Sequence, residues 1–217
     1  MPCRHWLIGV TLWWTFAGPA WAVNECGTGL TVRCNGSGSS AGQKNPYANG
    51  ISYTGTDINL TVTGKVAVDT SGAAENDGPY TVGIGISSSK ITKAGSARIL
   101  VEAGATITTR QDYSRGVSIR GTSGDSSGTV INYGNITTFG ADARAIFVQV
   151  NNNATVVSAG SVSTRGATAR GLYAQSLLGG DVSVTNSGTV QTALANGIEA
   201  RTINTGTVDV TQSGTVD

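Results

Sequence analysis

A repeated pattern of about 26 residues constrains this chain more than any other feature of its sequence. The clearest copies are TVINYGNITTFGADARAIFVQ (129–149), TVVSAGSVSTRGATARGLYAQ (155–175) and VSVTNSGTVQTALANGIEA (182–200). Each copy holds three short patches in which apolar and polar residues alternate, with Gly, Asn and Ser between them. Period-two alternation indicates short strands with one buried face, and the small polar residues indicate turns.

One such copy cannot bury its apolar face alone, whereas a stack of copies shares a continuous core. The repeat therefore predicts an all-β fold over residues 57–217, a right-handed parallel β-helix (solenoid) with three short strands per coil. A β-sandwich fits less well because its strands usually form irregular hairpins. A β-propeller fits less well because its blades need about 40 residues and aromatic signatures.

Two columns of residues define the expected register of the coils. A glycine precedes the second strand of each copy, and these glycines should lie in one line along the helix. Further along the same strand, a second column should point inward at a corner, where threonine hydroxyls can bond to one another from coil to coil. The glycines are Gly64, Gly104, Gly134, Gly160, Gly188 and Gly214, and the second column is Val68, Thr109, Thr138, Thr164 and Thr192.

Residues 1–22 are predicted to be a secretory signal peptide. A short basic region precedes LIGVTLWWTFAG (7–18), an apolar run too short to span a bilayer, and small residues at Ala20 and Ala22 favour cleavage after Ala22. Cleavage removes the only histidine and all four tryptophans, and it leaves a net charge near zero. This composition gives no electrostatic argument for nucleic acid or an anionic membrane as a partner.

Residues 23–56 are predicted to form an N-terminal cap that covers the strand edge of the first coil. Cys26 and Cys34 lie in this region and are the two cysteines that remain after cleavage. So close a pair in an exported chain indicates a disulfide, since a metal site would need further Cys or His ligands. Residues 70–80 interrupt the repeat and are predicted to form an outward loop.

The signal peptide, the cysteine pair and coils of the form xVxNxGxIxTxGxxAxGIxA resemble the passenger domain of a Gram-negative autotransporter. The three clearest copies carry the resemblance, which covers most of the mature chain. It implies export and then delivery to the outer-membrane surface or the medium through a C-terminal translocator barrel. It also implies an adhesin-like or virulence role with host-surface or matrix glycans or proteins as partners. Because the chain stops at Asp217 within a coil, we expect the N-terminal portion of a passenger, without the barrel.

The string SGDSSG (123–128) contains the Gly-Asp-Ser sequence found around many protease nucleophiles. A nucleophilic Ser126 would need a base and a group that orients the base. The mature chain has no histidine, and a dyad with Lys65, Lys90 or Lys93 is formally possible. Because the string falls where the repeat requires a corner, we expect a polar turn.

A β-helical enzyme that cleaves polysaccharides needs carboxylates that converge on one face, or a carboxylate with Ca²⁺ and a basic group. The acidic residues of this chain are scattered over the repeat positions, and Gly179-Gly180-Asp181 resembles a single fragment of a Ca²⁺-binding nonapeptide. We therefore expect a non-catalytic scaffold without metal or cofactor. A polysaccharide-cleaving enzyme remains the alternative function.

One column of charged residues is unusual. Alignment of the copies places three arginines at the same corner, followed by an asparagine: Arg115, Arg144, Arg170 and Asn196. One interpretation is that the guanidinium groups splay into solvent and are balanced by Asp112 and Asp142. The other is an anion-binding strip for a sulfated or acidic glycan, and the sequence leaves both open.

Overall fold

The computed structural model describes residues 26–27, 29–37, 45, 50–53, 57–68, 86–91, 95–121 and 124–217. The predicted signal peptide (1–22) and the predicted loop (70–80) lie outside the described residues. In the described part the secondary structure consists of 19 short strands arranged in three parallel sheets.

The three sheets run the length of the molecule, and each coil contributes one strand to each of them. Sheet A contains β1 (Thr31–Cys34), β3 (Ile58–Val62), β6 (Gly95–Val101), β9 (Ser126–Asn132), β12 (Ala154–Ser158), β15 (Val182–Asn186) and β18 (Val208–Gln212). Sheet B contains β4 (Lys65–Val68), β7 (Thr106–Thr109), β10 (Asn135–Thr138), β13 (Ser161–Thr164), β16 (Thr189–Thr192) and β19 (Thr215–Val216). Sheet C contains β2 (Ile51–Tyr53), β5 (Ile86–Ile91), β8 (Val117–Gly121), β11 (Ile146–Val150), β14 (Leu172–Ser176) and β17 (Ile198–Thr202).

Each strand pairs in parallel with the equivalent strand of the next coil, which confirms the predicted parallel β-helix with three strands per coil. Ile146 of β11, for example, pairs with Val117 of β8 and with Leu172 of β14. The register follows the alignment of the repeat copies, because a shift by one residue would turn every apolar side chain away from the core.

The core lies between the three sheets and is built from the inward-facing apolar residues of each strand. Val130, Val156 and Val184 form one column in sheet A, and all three are fully buried. Burying a valine side chain in this way contributes roughly 1.5–3 kcal/mol. Each coil thus adds a few such side chains to a core that no single coil could form.

Three kinds of corner connect the sheets, and one of them is much wider than the others. In the coil that begins with β9, residues 133–134 join sheet A to sheet B and residues 151–153 join sheet C to the next coil. Seven residues join sheet B to sheet C in each of three successive coils. We call these three stacked segments the wide corner: residues 110–116, 139–145 and 165–171. In the following coil the connection shortens to residues 193–197.

The predicted glycine column is correct for most of its members and wrong for Gly104. The strand register stacks Gly134, Gly160 and Gly188, because each immediately precedes a paired strand residue. The same register places Ala105 in this column, and Gly104 lies one residue earlier with a φ of 82°. The stacked glycines permit a close approach of backbones: a Cβ on Gly160 would lie 2.0 Å from the carbonyl oxygen of Gly134.

The predicted disulfide is confirmed by the pairing of Cys26 with Cys34, whose Cα atoms are 5.1 Å apart. The backbone N–H of Cys26 also donates to the hydroxyl of the buried Tyr53 at 2.8 Å. β1 and β2 both fall within residues 23–56, and they pair with β3 and β5 of the solenoid. The predicted cap region therefore contributes strands to sheets A and C.

We predict that Gly160→Ala lowers the free energy of unfolding by about 2 kcal/mol, because the added methyl group would overlap the backbone of the coil below. Urea unfolding of the mature chain followed by circular dichroism measures this loss. The matched control is Gly104→Asn, at a position with open space and a left-handed backbone that asparagine tolerates. Equal losses in the two variants would contradict the close approach.

Candidate functional site

The wide corner is closed by hydrogen bonds from the threonine column. Thr138 and Thr164 are buried, and their hydroxyls donate to Ala143 O at 2.5 Å and to Ala169 O at 2.6 Å. Each bond links two residues of the same coil, so the prediction of hydroxyls bonded from coil to coil is wrong, although the inward position is correct. A turn leaves carbonyl groups without a strand partner, and the threonine satisfies one of them.

The wide corner also holds three stacked residues in the left-handed backbone conformation. Tyr113, Asp142 and Thr168 have φ values of 61°, 52° and 59°. Their stacking follows from two backbone bonds, from Tyr113 N to Ala141 O and from Asp142 N to Ala167 O. A bulky or β-branched residue in this conformation is strained by about 1 kcal/mol or more. This strain applies to Tyr113 and Thr168, whereas the short polar side chain of Asp142 tolerates the conformation. In each of the three coils the arginine of the column follows two residues later.

The structure places Arg115, Arg144 and Arg170 in one column, as the repeat alignment predicts. Backbone bonds join them in register, because Gly116 N donates to Arg144 O at 3.0 Å and Ala145 N donates to Arg170 O at 3.1 Å. The same alignment puts Asn196 next in the column, since Gly171 N donates to its carbonyl.

These arginines lie over two aromatic rings on the outer face of sheet C. The rings of Phe147 and Tyr173 stack with centroids 5.0 Å apart, and both residues are 2% exposed. Arg115 lies 4.2 Å from the Phe147 centroid, and Arg144 lies 5.0 Å from Phe147 and 4.9 Å from Tyr173. Arg170 lies 5.7 Å from Tyr173. Each cation–π contact contributes about 0.5–1 kcal/mol at an exposed site and more when desolvated.

The interpretation that the arginines splay into solvent does not hold for Arg115, which is only 8% exposed, and Arg144 and Arg170 are half-buried. The sequence reasoning did not identify Phe147 and Tyr173 as their partners. The signal that could have found them is an aromatic residue at the same outward-facing position in two consecutive copies, IF at 146–147 and LY at 172–173.

The carboxylates near the column have their own partners. Asp112 accepts a hydrogen bond from Ala141 N, and Asp142 accepts one from the Thr168 hydroxyl, both at 2.7 Å. These bonds hold the corner together and do not pair the arginines directly. A partner that the sequence did not indicate is Glu199, whose Oε2 lies 2.5 Å from Arg170 Nε in an ion pair without hydrogen-bond geometry.

Burial is the main cause that lowers the pKa of Arg144, and the positive charge of Arg170 lowers it further. The nearby Tyr173 and Asp142 raise this pKa. The guanidinium group stays charged, since the ordinary pKa of arginine is so high. Among the described residues, the buried Nε of Arg144 has no hydrogen-bond partner. This arginine is thus a cation held in a partly desolvated place beside a second cation.

Tyr113, Arg115, Asp142 and Arg144 line a cleft of about 310 Å³ at the wide corner. Tyr113 is 50% exposed and contributes an accessible aromatic surface beside the two arginines. The cleft therefore combines two arginines and one aspartate with an aromatic surface, and its net positive charge suits an anionic ligand with some apolar faces.

A second set of arginines flanks the other side of the wide corner. The exposed Arg110 and Arg165 lie 5.3 Å and 5.1 Å from the ring of Phe139, which precedes the left-handed residue of its coil. These three residues also form a column, because Phe139 N donates to Thr109 O and Arg165 N donates to Thr138 O. Arginine side chains thus lie on both sides of the corner.

The predicted turn at SGDSSG is correct only for its first part. Gly124 and Asp125 are exposed outside the strands, whereas Ser126 begins β9 and is fully buried. The Ser126 hydroxyl accepts a hydrogen bond from Asn151 N at 3.1 Å. Lys65 is exposed on sheet B, and the side chains of Lys90 and Lys93 lie outside the described residues. A buried hydroxyl with this structural bond is not placed to attack a substrate.

Asp181, in the fragment that resembles a Ca²⁺-binding nonapeptide, takes part in a turn between coils. Its carboxylate accepts hydrogen bonds from the amide and the hydroxyl of Thr207 at 2.9 Å and 2.7 Å, and these bonds lower the pKa of Asp181. Within the described ranges no group of three or more His, Cys, Asp or Glu side chains is arranged to hold a metal ion.

Comparison of the chain with protein-family models, with curated proteins and with solved structures finds no match. In the part of the chain that the structure describes, no helix has the length and the apolar character that crossing a membrane requires.

We predict that Phe147→Leu lowers the free energy of unfolding by about 2 kcal/mol, because it removes the ring stack with Tyr173 and two cation–π contacts. Phe139→Leu is the matched control, since its ring contacts two exposed arginines and should cost less than about 1 kcal/mol. Urea unfolding midpoints of both variants provide the measurement. An unchanged midpoint for Phe147→Leu would mean that the stack does not stabilise the fold.

Proposed function

We propose that this chain is an exported β-helical passenger of the autotransporter type. It acts as a non-catalytic scaffold on the outer-membrane surface or in the medium, in adhesion or virulence. The parallel solenoid is compatible with such a role, and the resemblance of the repeat copies supports the assignment. Host-surface or matrix glycans or proteins are the proposed partners, and a translocator barrel would belong to the full-length protein.

The observation that carries this proposal is the unbroken register from β6 to β18 in sheet A. A solenoid with aligned coils is a rigid rod on which equivalent side chains recur at each coil, about 4.8 Å apart. Such a surface suits contact with an extended partner. The wide corner, with arginines and aromatic rings in columns, is the part of this surface with the most distinctive chemistry.

The alternative function, a polysaccharide-cleaving β-helix, receives less support from the same residues. Asp112 and Asp181 accept hydrogen bonds from backbone N–H groups, and Asp142 accepts one from Thr168. Carboxylates engaged in turn structure are poorly placed to act as an acid and base pair. The buried Ser126 hydroxyl also accepts a hydrogen bond from a backbone N–H group, that of Asn151.

Export can be tested by expressing residues 1–217 in a Gram-negative bacterium and fractionating the cells. We expect a periplasmic protein that begins at Val23 and contains an oxidised Cys26–Cys34 pair, since disulfides persist in that compartment. The control variant Ala22→Phe places a large residue at the cleavage site and should accumulate as precursor. A cytoplasmic protein that retains Met1 would contradict the proposal.

The non-catalytic role has a separate test. The purified mature chain is incubated with chondroitin sulfate and with polygalacturonate, and reducing ends and unsaturated products are measured over time. We expect neither product above the level of a heat-inactivated sample. Release of either product would reject the scaffold in favour of the enzyme.

A further inference from the structure

We infer that the wide corner binds a linear acidic polysaccharide that runs along the solenoid axis, with its sulfate or carboxylate groups on the arginines of successive coils. This inference rests on the proposed function, because it names the ligand class for the scaffold surface described above. It goes beyond that function because it assigns the binding of the polysaccharide to particular residues of the wide corner.

The first support is the charge at the wide corner. The three segments that form it contain five arginines and two aspartates: Arg110, Arg115, Arg144, Arg165, Arg170, Asp112 and Asp142. The whole chain is close to neutral, with 14 basic and 13 acidic residues. Positive charge is therefore concentrated at this corner, and a field of one sign attracts an extended polyanion.

The second support is that the arginines are held in place before a ligand arrives. Arg144 lies against the rings of both Phe147 and Tyr173, and Arg110 and Arg165 lie against Phe139. A guanidinium group that is already stacked loses less conformational entropy on binding than a free side chain. Because the coils are about 4.8 Å apart, an anionic polymer can contact several of these groups at once.

The third support is the cleft itself. Arg144 is half-buried, with a buried Nε that lacks a hydrogen-bond partner among the described residues, and Arg170 lies next to it in the column. Asp142 and the ion pair of Arg170 with Glu199 offset part of the repulsion between these cations, and a bound anion near Arg144 would offset more of it. Tyr113 lines the cleft, is half-exposed and is kept in a strained left-handed conformation. Strain of this kind persists where the surrounding structure imposes it, which is common at ligand sites.

A polysaccharide fits this surface better than a single-stranded nucleic acid, which is the other extended polyanion. Nucleic-acid binding of that kind requires exposed rings on which successive bases can stack. Phe147 and Tyr173 are 2% exposed, so their faces are covered by arginines and by each other. A sugar needs only one accessible aromatic surface beside the charges, and Tyr113 supplies it.

The test measures binding of the mature chain to chondroitin sulfate by titration calorimetry at low and at physiological salt, with neutral dextran as the negative probe. We expect binding to chondroitin sulfate that weakens as salt increases, and none to dextran. The double variant Arg110→Gln/Arg165→Gln should bind about tenfold more weakly. Its matched control, Arg33→Gln/Arg98→Gln, removes the same charge from sheet A and should bind within about twofold of the parent chain.

Tyr113→Asn tests the aromatic contact without disturbing the turn. The equivalent position in the next coil is occupied by Asp142, so a short polar side chain fits the left-handed conformation there. We expect the variant to be at least as stable as the parent chain and to bind chondroitin sulfate about threefold to tenfold more weakly.

Three results would overturn the inference: no binding of chondroitin sulfate, equal losses in the two double variants, or tighter binding of an oligo-dT strand than of the polysaccharide. These results leave the proposed function standing if export and the absence of cleavage products are observed. Cleavage of the polysaccharide would instead reject the proposed function, whatever the affinity.

Discussion

The parallel backbone pairing between successive coils is the interaction on which the rest of this structure depends. Each coil is too small to bury its own apolar side chains, and its strands find hydrogen-bond partners in the coils above and below. Val130, Val156 and Val184 illustrate the result, since they form a buried column because β9, β12 and β15 are paired without a shift. The same register determines which residues stack on the outside.

On the outer face, this register brings together side chains that would otherwise be far apart in sequence. Phe147 and Tyr173 are 26 positions apart, yet their rings stack because β11 and β14 pair at these residues. The arginines of the wide corner then lie over the rings, and the corner is held from inside by Thr138 and Thr164. A surface with a distinctive chemical character thus results from contacts that also stabilise the fold.

Much of the fold could be predicted from the sequence, because period-two alternation and repeat length both reflect strand geometry. The arginine column was predictable for the same reason, since residues at equal repeat positions must stack. The predictions failed where the residue that occupies a column, or the acceptor of a hydrogen bond, depends on the local backbone geometry. Gly104 resembles a column glycine, but the paired register places Ala105 there instead. The Thr138 hydroxyl bonds to the carbonyl of Ala143 in its own coil, and that choice of acceptor depends on the geometry of the corner.

A further limit of sequence reasoning is shown by Ser126 and by the aromatic residues Phe147 and Tyr173, which the arginines cover. A Gly-Asp-Ser string is typical of a turn, but β9 begins within it because Ser126 pairs opposite Gly95. Outward-facing aromatic residues look like exceptions to the alternation pattern, and nothing in a single copy indicates that arginines from the preceding corner cover them. Such contacts depend on the path of a seven-residue connection, which short-range patterns do not specify.

The unequal corner lengths have a consequence for how such a molecule can change during evolution. Seven residues form the wide corner in three coils and five form its counterpart at 193–197, where Asn196 ends the row of arginines. Duplication or loss of one complete coil would lengthen or shorten that row while preserving every strand register. Insertion of a single residue within a strand would instead turn the side chains that follow it to the opposite face, so that apolar residues would point outward. The length of the charged strip can therefore vary in whole steps, independently of the core that supports it.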